Sequence, residues 1–364
     1  MNMDNKKGII LTGAVIGILA VILVRFGNPV NMGICIACFI RDMTGALGLH
    51  RADVVQYIRP EIIGIVLGAF VMAIGKKEFD VRGGSSPFIR FLLGFIVMIG
   101  ALMFLGCPLR MVLRLGGGDL NALFGLAGFA VGIVVGIVFL RNGFSLKRTY
   151  RLSKLEGYLF PMLNIGLFIL LLTAPAFIFF SKKGPGAAHA SVWIALAAGL
   201  IVGVLVQRTR LCMVGGIRDA ILFKDTYLIL GFISIIVFAS LGNLYFGFYK
   251  LGFSGQSVAH VDGLWNFLGM ALAGWGSVLL GGCPLRQLVL AAEGNIDSVI
   301  TVLGMFAGAA FAHNFSLASS AQGPSPNGKI AVLIGFVILL MIAFFNQEKD
   351  AKVTIKGGVK IGAN

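Results

Sequence analysis

The stretch LGCPLRMVLR, residues 105–114, sits at the edge of one hydrophobic run, and GGCPLRQLVL, residues 281–290, sits at the edge of another. Both carry the word Gly-Cys-Pro-Leu-Arg, in a chain with only five cysteines and 12% charged residues. Proline is favoured at the first position of a helix, where its missing N–H is no loss and its φ is already helical. Pro108 and Pro284 therefore predict helix starts, with Cys107 and Cys283 in the N-cap positions. Gly106 and Gly282 let the backbone turn sharply and come close to a ligand. The free N–H groups at such a start favour an anion. Arg110 and Arg286, one turn along, add full positive charge. A single copy would read most simply as a span boundary, with cysteine as a small hydrophobe and arginine anchored at headgroups. Two copies favour a built site.

The surroundings of both words are those of a membrane protein. The chain has 364 residues, 58% of them hydrophobic and 51 of them glycine, and a mean hydropathy of +0.94. Its charged fraction is about half that of soluble domains. Apolar runs at about 8–25, 61–75, 88–105, 119–140, 158–180, 190–206, 226–247, 262–281, 296–314 and 329–345 predict ten spanning helices. The net charge of +15 is spread between the spans, as topology-setting loops require, and does not point to nucleic acid. With the N-terminus in the cytoplasm, 20 of the 30 Lys and Arg fall on that side, so both termini are expected there, at the cell inner membrane. The first apolar run follows Lys6-Lys7 without a clear cleavage site and reads as a retained helix.

A second repeated word fixes the internal organisation. NMGICIACFIRD (31–42) aligns with RTRLCMVGGIRD (208–219), placing Cys35 on Cys212 at an offset of 177, while Cys107 falls on Cys283 at an offset of 176. Two motifs agreeing to within one residue indicate a tandem duplication. The repeats are expected at 1–184 and 185–346, followed by a polar cytoplasmic tail at 347–364. Five spans per copy turn the second copy upside down, so the expected fold is all-α and polytopic, with two inverted five-helix repeats. The four motif segments, 31–42, 106–118, 208–219 and 282–294, suit short re-entrant helices, the first two approaching from one face and the last two from the other.

Arg41-Asp42 and Arg218-Asp219 are expected to be structural ion pairs, since charges near membrane depth usually pair. If Arg41, Arg110, Arg218 and Arg286 faced lipid they would cost on the order of 10 kcal/mol, so they must snorkel, pair or line an aqueous funnel. Cys35-x-x-Cys38 offers only half of a tetrahedral metal site, and Gly215 replaces its second cysteine in the repeat. No metal or cofactor is expected. His50, His189, His260 and His313 show no spacing that suggests a site. Several thiols along one path suit a soft anion of sulfur or selenium, because sulfur is polarizable and S–H a weak donor. The thiols are expected to be neutral when an anion is bound.

In GICIACFIRD, RLCMVGGIRD and the two GCPLR words the chain resembles the YeeE/YedE family of sulfur-transport membrane proteins, and NPVNMGICIACFIRD looks most like its YedE branch, linked with selenium metabolism. The resemblance implies an hourglass-shaped importer in which path cysteines pass an anion along by S–H···S contacts. It implies that Cys35, Cys107 and Cys283 carry the relay, with Cys212 and Cys38 less secure. The expected activity is inward transport of a small inorganic sulfur or selenium anion across the bilayer, not enzymatic turnover. The alternative is a membrane thiol protein that carries the chalcogen covalently to a small cytoplasmic sulfur-carrier protein.

Overall fold

The structure, a computed structural model, describes residues 3–348; most of the tail expected at 347–364 lies outside the described residues. The chain is almost entirely helical. Its elements are α1 (Met3–Arg25), α2 (Ile36–Ala46), α3 (Pro60–Gly75), α4 (Pro87–Phe104), α5 (Pro108–Gly116), α6 (Asn121–Arg141), α7 (Lys154–Thr173), α8 (Val192–Thr209), α9 (Met213–Phe223), α10 (Tyr227–Tyr245), α11 (Gly263–Leu279), α12 (Pro284–Ala292), α13 (Ile296–Asn314) and α14 (Pro326–Phe345). Two-residue strands β1 (Arg82–Gly83) and β2 (Tyr150–Arg151) pair antiparallel in the loops.

Each of the ten expected spans is a helix. Among the described residues, nine helical stretches are long and apolar enough to cross a membrane, which makes this a multi-pass membrane protein. The tenth, α3, has 16 residues, or about 24 Å at helical rise, slightly short of a ~30 Å hydrocarbon core. The four remaining helices, α2, α5, α9 and α12, have 11, 9, 11 and 9 residues. At about 14–17 Å they reach only halfway across such a core.

The starts of these helices follow local chemistry. Proline occupies the first turn of α3, α4, α5, α12 and α14. Ser153, Asp262, Asn295 and Ser325 cap α7, α11, α13 and α14 through their side chains, supplying acceptors to otherwise orphaned amides.

The contacts between helices repeat across the two halves. α6 packs on α11 as α13 packs on α4; α8 packs on α3 as α1 packs on α10; α5 packs on α10 as α12 packs on α3. The last helices depart from this pattern: α7 lies on α3 and α12, but α14 on α4 and α11. Lipid does not drive apolar helices together, so their association rests on close backbone approach at small residues. Gly128 and Gly132 of α6 sit against the backbone of Phe267 and Ala271 on α11, and Gly199 and Gly203 of α8 against that of Glu61 and Ile65 on α3. A Cβ at Gly132 would collide with the Ala271 carbonyl. Gly132→Val should therefore push α6 off α11, costing roughly 1–3 kcal/mol or more by overpacking. A fall in the detergent melting temperature and in the yield of monodisperse protein would register it.

Loops collect at two ends of the bundle. At the end where α1 finishes, Asn28 accepts from Ala190 N, Asn31 donates to Gln256, and Gln56 N donates to Ser181. At the opposite end, where α1 begins, Ser85 N donates to Asp297, Arg210 pairs with Glu78, and Phe144 bridges Gln347. The first is called the far end below and the second the near end. α2 and α5 lie in far-end connections, α9 and α12 in near-end connections.

Candidate functional site

Cysteine marks the start of every short helix. Cys35, Cys107, Cys212 and Cys283 are the N-cap residues of α2, α5, α9 and α12, each in extended backbone conformation. Cys35 and Cys212 cap their own helices, accepting from Cys38 N at 3.3 Å and Gly215 N at 3.4 Å. Cys107 and Cys283 make no such cap bond; Pro108 and Pro284 have already started those helices.

The caps meet in pairs. The thiols of Cys212 and Cys283 are 3.8 Å apart, and Cys283 N donates to the Cys212 sulfur at 3.5 Å. Cys107 neighbours Cys35, although no hydrogen bond joins their sulfurs. A disulfide needs sulfurs about 2.05 Å apart, and all five cysteines are free and buried. Each pair thus brings two helix N-termini and two thiols to one point, where oriented amides and S–H groups favour negative charge. Among the described residues no cluster of His, Cys, Asp and Glu could hold a metal ion.

Arg110, one of the arginines expected to snorkel, pair or line an aqueous funnel, is instead held by backbone carbonyls. It is wholly buried, and its guanidinium donates to the carbonyls of Asn31 at 2.9 Å, Val258 at 3.1 Å and Leu105, and to the Cys38 sulfur at 3.4 Å. Carbonyls from three separate segments, of which only Leu105 belongs to the end of α4, satisfy this cation and offset the cost of burying it. Cys38, secondary by sequence, is therefore joined to Arg110, and it donates to the Leu105 carbonyl at 3.7 Å. Leu105 itself is left-handed, with φ +61°, and nearly inaccessible. Glycine, Gly281, holds the corresponding left-handed position before Cys283. A buried leucine there stores backbone strain, held by the bonds to its carbonyl.

At the near end Arg286 is bound rather than free. It reaches Glu293 at 3.1 Å, and Glu293 also takes Arg210 at 3.0 Å, which in turn pairs with Glu78 at 2.7 Å. This chain of charges ties the loop after α3 to the ends of α8 and α12, beside the Cys212–Cys283 pair. Gly106 and Gly282 both lie against the following arginine side chain, Arg110 and Arg286. No room for a Cβ remains at Gly106 without displacing Arg110.

The Arg-Asp pairs form in both halves but in different surroundings. Asp42 is shared: Arg41 Nη2 lies 2.7 Å from Oδ1 and Arg59 Nη2 2.6 Å from Oδ2, all three side chains being buried. Arg59 also donates to the Pro185 and Ala188 carbonyls and lies over the rings of Phe39 and Tyr57. Arg218–Asp219, at 2.7 Å, is partly exposed. A further buried pair, Arg114–Asp119 at 2.7 Å, fixes the end of α5, with Arg114 over the Phe104 ring.

The sequence reading did not find the cavity at the far end. It measures about 640 Å³ and runs from exposed Ser316, Ser320 and Gln322 down to Arg41 and Leu105, with His313 in its wall. Its lining comes from connections separated by more than two hundred residues, a grouping without any local signal. His50 and His313, which showed no pattern in sequence, stack at 4.5 Å beside Arg41.

Residues 208–347 match the family model described as Sulphur transport. The chain is 29% identical over 103 residues to the thiosulfate transporter TsuA of Spirochaeta thermophila, covering 28% of this chain and 31% of that one. It is 30% identical over 107 residues to the thiosulfate transporter TsuA of Escherichia coli, covering 29% of this chain and 30% of that one. The matched part thus spans under a third of the length of these curated relatives. By these matches the second half of the chain, with Cys212, Cys283 and Arg286 inside it, is similar to the sulphur-transport family.

Proposed function

We propose that this protein imports a small sulfur-containing anion across the cell inner membrane, along a path lined by its N-cap thiols. The observation that carries the reading is the gathering of Cys35 with Cys107 and of Cys212 with Cys283 at the starts of four half-length helices, two reached from each end of the bundle. In this reading the halves are inverted repeats, α2, α5, α9 and α12 are re-entrant, and the bundle narrows between the two thiol pairs like an hourglass. Both termini lie in the cytoplasm, making the far end the outer face.

Transport by this route needs no fixed cation at the waist. Arg110 is committed to backbone carbonyls and Arg286 to Glu293, so the groups left to meet an anion at depth are the thiols and the helix-start amides. Their role is to replace part of the hydration shell with weak, evenly spaced donors, strong enough to admit the anion and weak enough to release it. Soft S–H groups favour polarizable sulfur over hard oxyanions. The matched relatives being thiosulfate transporters supports thiosulfate as the first substrate to try. A selenium analogue fits the same chemistry.

Proteoliposomes containing the purified full chain should accumulate labelled thiosulfate with time, whereas empty liposomes should not. Selenosulfate should compete and be accumulated, whereas sulfate should not be accumulated. Absence of uptake for every chalcogen anion, together with persulfide found on a path cysteine, would replace transport with covalent sulfur transfer.

A further inference from the structure

We infer that the far-end cavity contains a capture subsite for a small divalent oxyanion, with Arg41 and His313 as its contacts. The inference deepens the transport reading and rests on it for direction of movement only.

Among the described residues, Arg41 is the one with a full charge in the cavity lining, and no acidic residue lines it. Its Nε and Nη2 are held by Asp42 Oδ1 at 2.9 and 2.7 Å. Among the described residues Nη1 has no protein acceptor, although the side chain is only 3% exposed. A guanidinium oriented through one edge and left with a free N–H₂ on the other is preorganised for an oxygen acceptor. Asp42 does not cancel the local charge. It also receives Arg59, so two cations share one carboxylate.

The second contact is positioned through His50. The Ala52 amide donates to His50 Nδ1 at 3.3 Å, which leaves Nε2 as the donor to the Arg41 carbonyl at 3.0 Å. The His313 ring stacks on this fixed imidazole at 4.5 Å, and its Nε2 is buried without any partner. An unpaired buried ring nitrogen is costly in a finished structure. His313 lines the same cavity as Arg41, and a small turn of its ring would offer this nitrogen to a ligand oxygen bound there.

The cavity, at about 640 Å³, admits an anion with part of its water, since a water molecule occupies about 30 Å³. Leu105, in its lining, is two positions before Cys107, and Arg110 and Cys38 both donate to the Leu105 carbonyl. A captured anion would therefore stand close to the segment that carries Cys107.

The test separates capture from passage. Thiosulfate and sulfate binding to the detergent-purified full chain would be measured by calorimetry for the native protein, Arg41→Gln, His313→Ala and Cys107→Ala, alongside initial uptake rates. Arg59 still pairs with Asp42 in Arg41→Gln, so a native-like melting temperature is expected. Binding should weaken about ten-fold or more in Arg41→Gln and several-fold in His313→Ala. In uptake, both should raise the half-saturating concentration more than they lower the maximal rate. Cys107→Ala should bind normally while its maximal rate falls. Arg41-dependent binding without any uptake would sustain the subsite while refuting transport. Native affinity in folded Arg41→Gln and His313→Ala would overturn the subsite, and should the glutamine variant not fold, Arg41→Lys with His313→Ala decides on the same criterion.

Discussion

Cys283→Ala should reduce thiosulfate uptake by about ten-fold or more, equivalent to roughly 1.4 kcal/mol or more at the limiting step, with the fold left intact. The structural cost is small because Cys283 makes no cap bond to its own helix and Pro284 already fixes the helix start. What is lost is the sulfur 3.8 Å from Cys212. Cys107→Ala should behave alike, for the same reason. Cys212 is a less clean probe. It caps Gly215 N, so its replacement by alanine also loses a cap worth about 1 kcal/mol. Serine at 283 keeps a hydroxyl donor of similar size but not the polarizability. It should retain partial uptake and shift the preference away from softer anions. Native rates in both Cys107→Ala and Cys283→Ala, measured in proteoliposomes of matched protein content, would remove the thiols from the path.

Asp42→Ala should be the most destabilising single change in the far-end charge cluster. It would leave Arg41 and Arg59 without their carboxylate while both remain buried. Breaking a buried pair from one side typically costs about 3–5 kcal/mol. Backbone acceptors from Pro185 and Ala188 compensate only Arg59. Asp219→Ala removes the carboxylate from the corresponding Arg-Asp word of the second half. That pair is partly exposed and has no second arginine among the described residues, so the expected cost is about 0–1 kcal/mol. The two variants, compared by thermal unfolding in the same detergent, should therefore separate clearly. Equal losses would mean that burial around Asp42 is not what makes its pairing important.

The two Arg-Asp words illustrate where local reading stopped. Both ion pairs were expected from adjacent residues and both form. The difference in their importance comes from Arg59, which is seventeen positions from Asp42 and not part of any repeated word. Arg110 shows the same limit. Its spacing from Cys107 suggested a cation adding charge to an anion-favouring helix start, but the carbonyls that hold it belong to Asn31, Leu105 and Val258, from three separate segments.

The amino-acid order alone determined the ten long apolar helices, nine of them, among the described residues, in stretches long enough to cross a bilayer, because an uninterrupted apolar run has few alternatives to a helix there. It also determined the starts of α5 and α12, where proline has only one comfortable place, and the correspondence of Cys35 with Cys212 and Cys107 with Cys283. Tertiary structure decided which thiols meet, which arginines are spent on carbonyls or glutamate, and where Arg41 and His313, stacked on His50, stand around a cavity. Those outcomes depend on the relative placement of loops far apart along the chain, where partner geometry, not residue type, sets whether a buried charge is satisfied or left available.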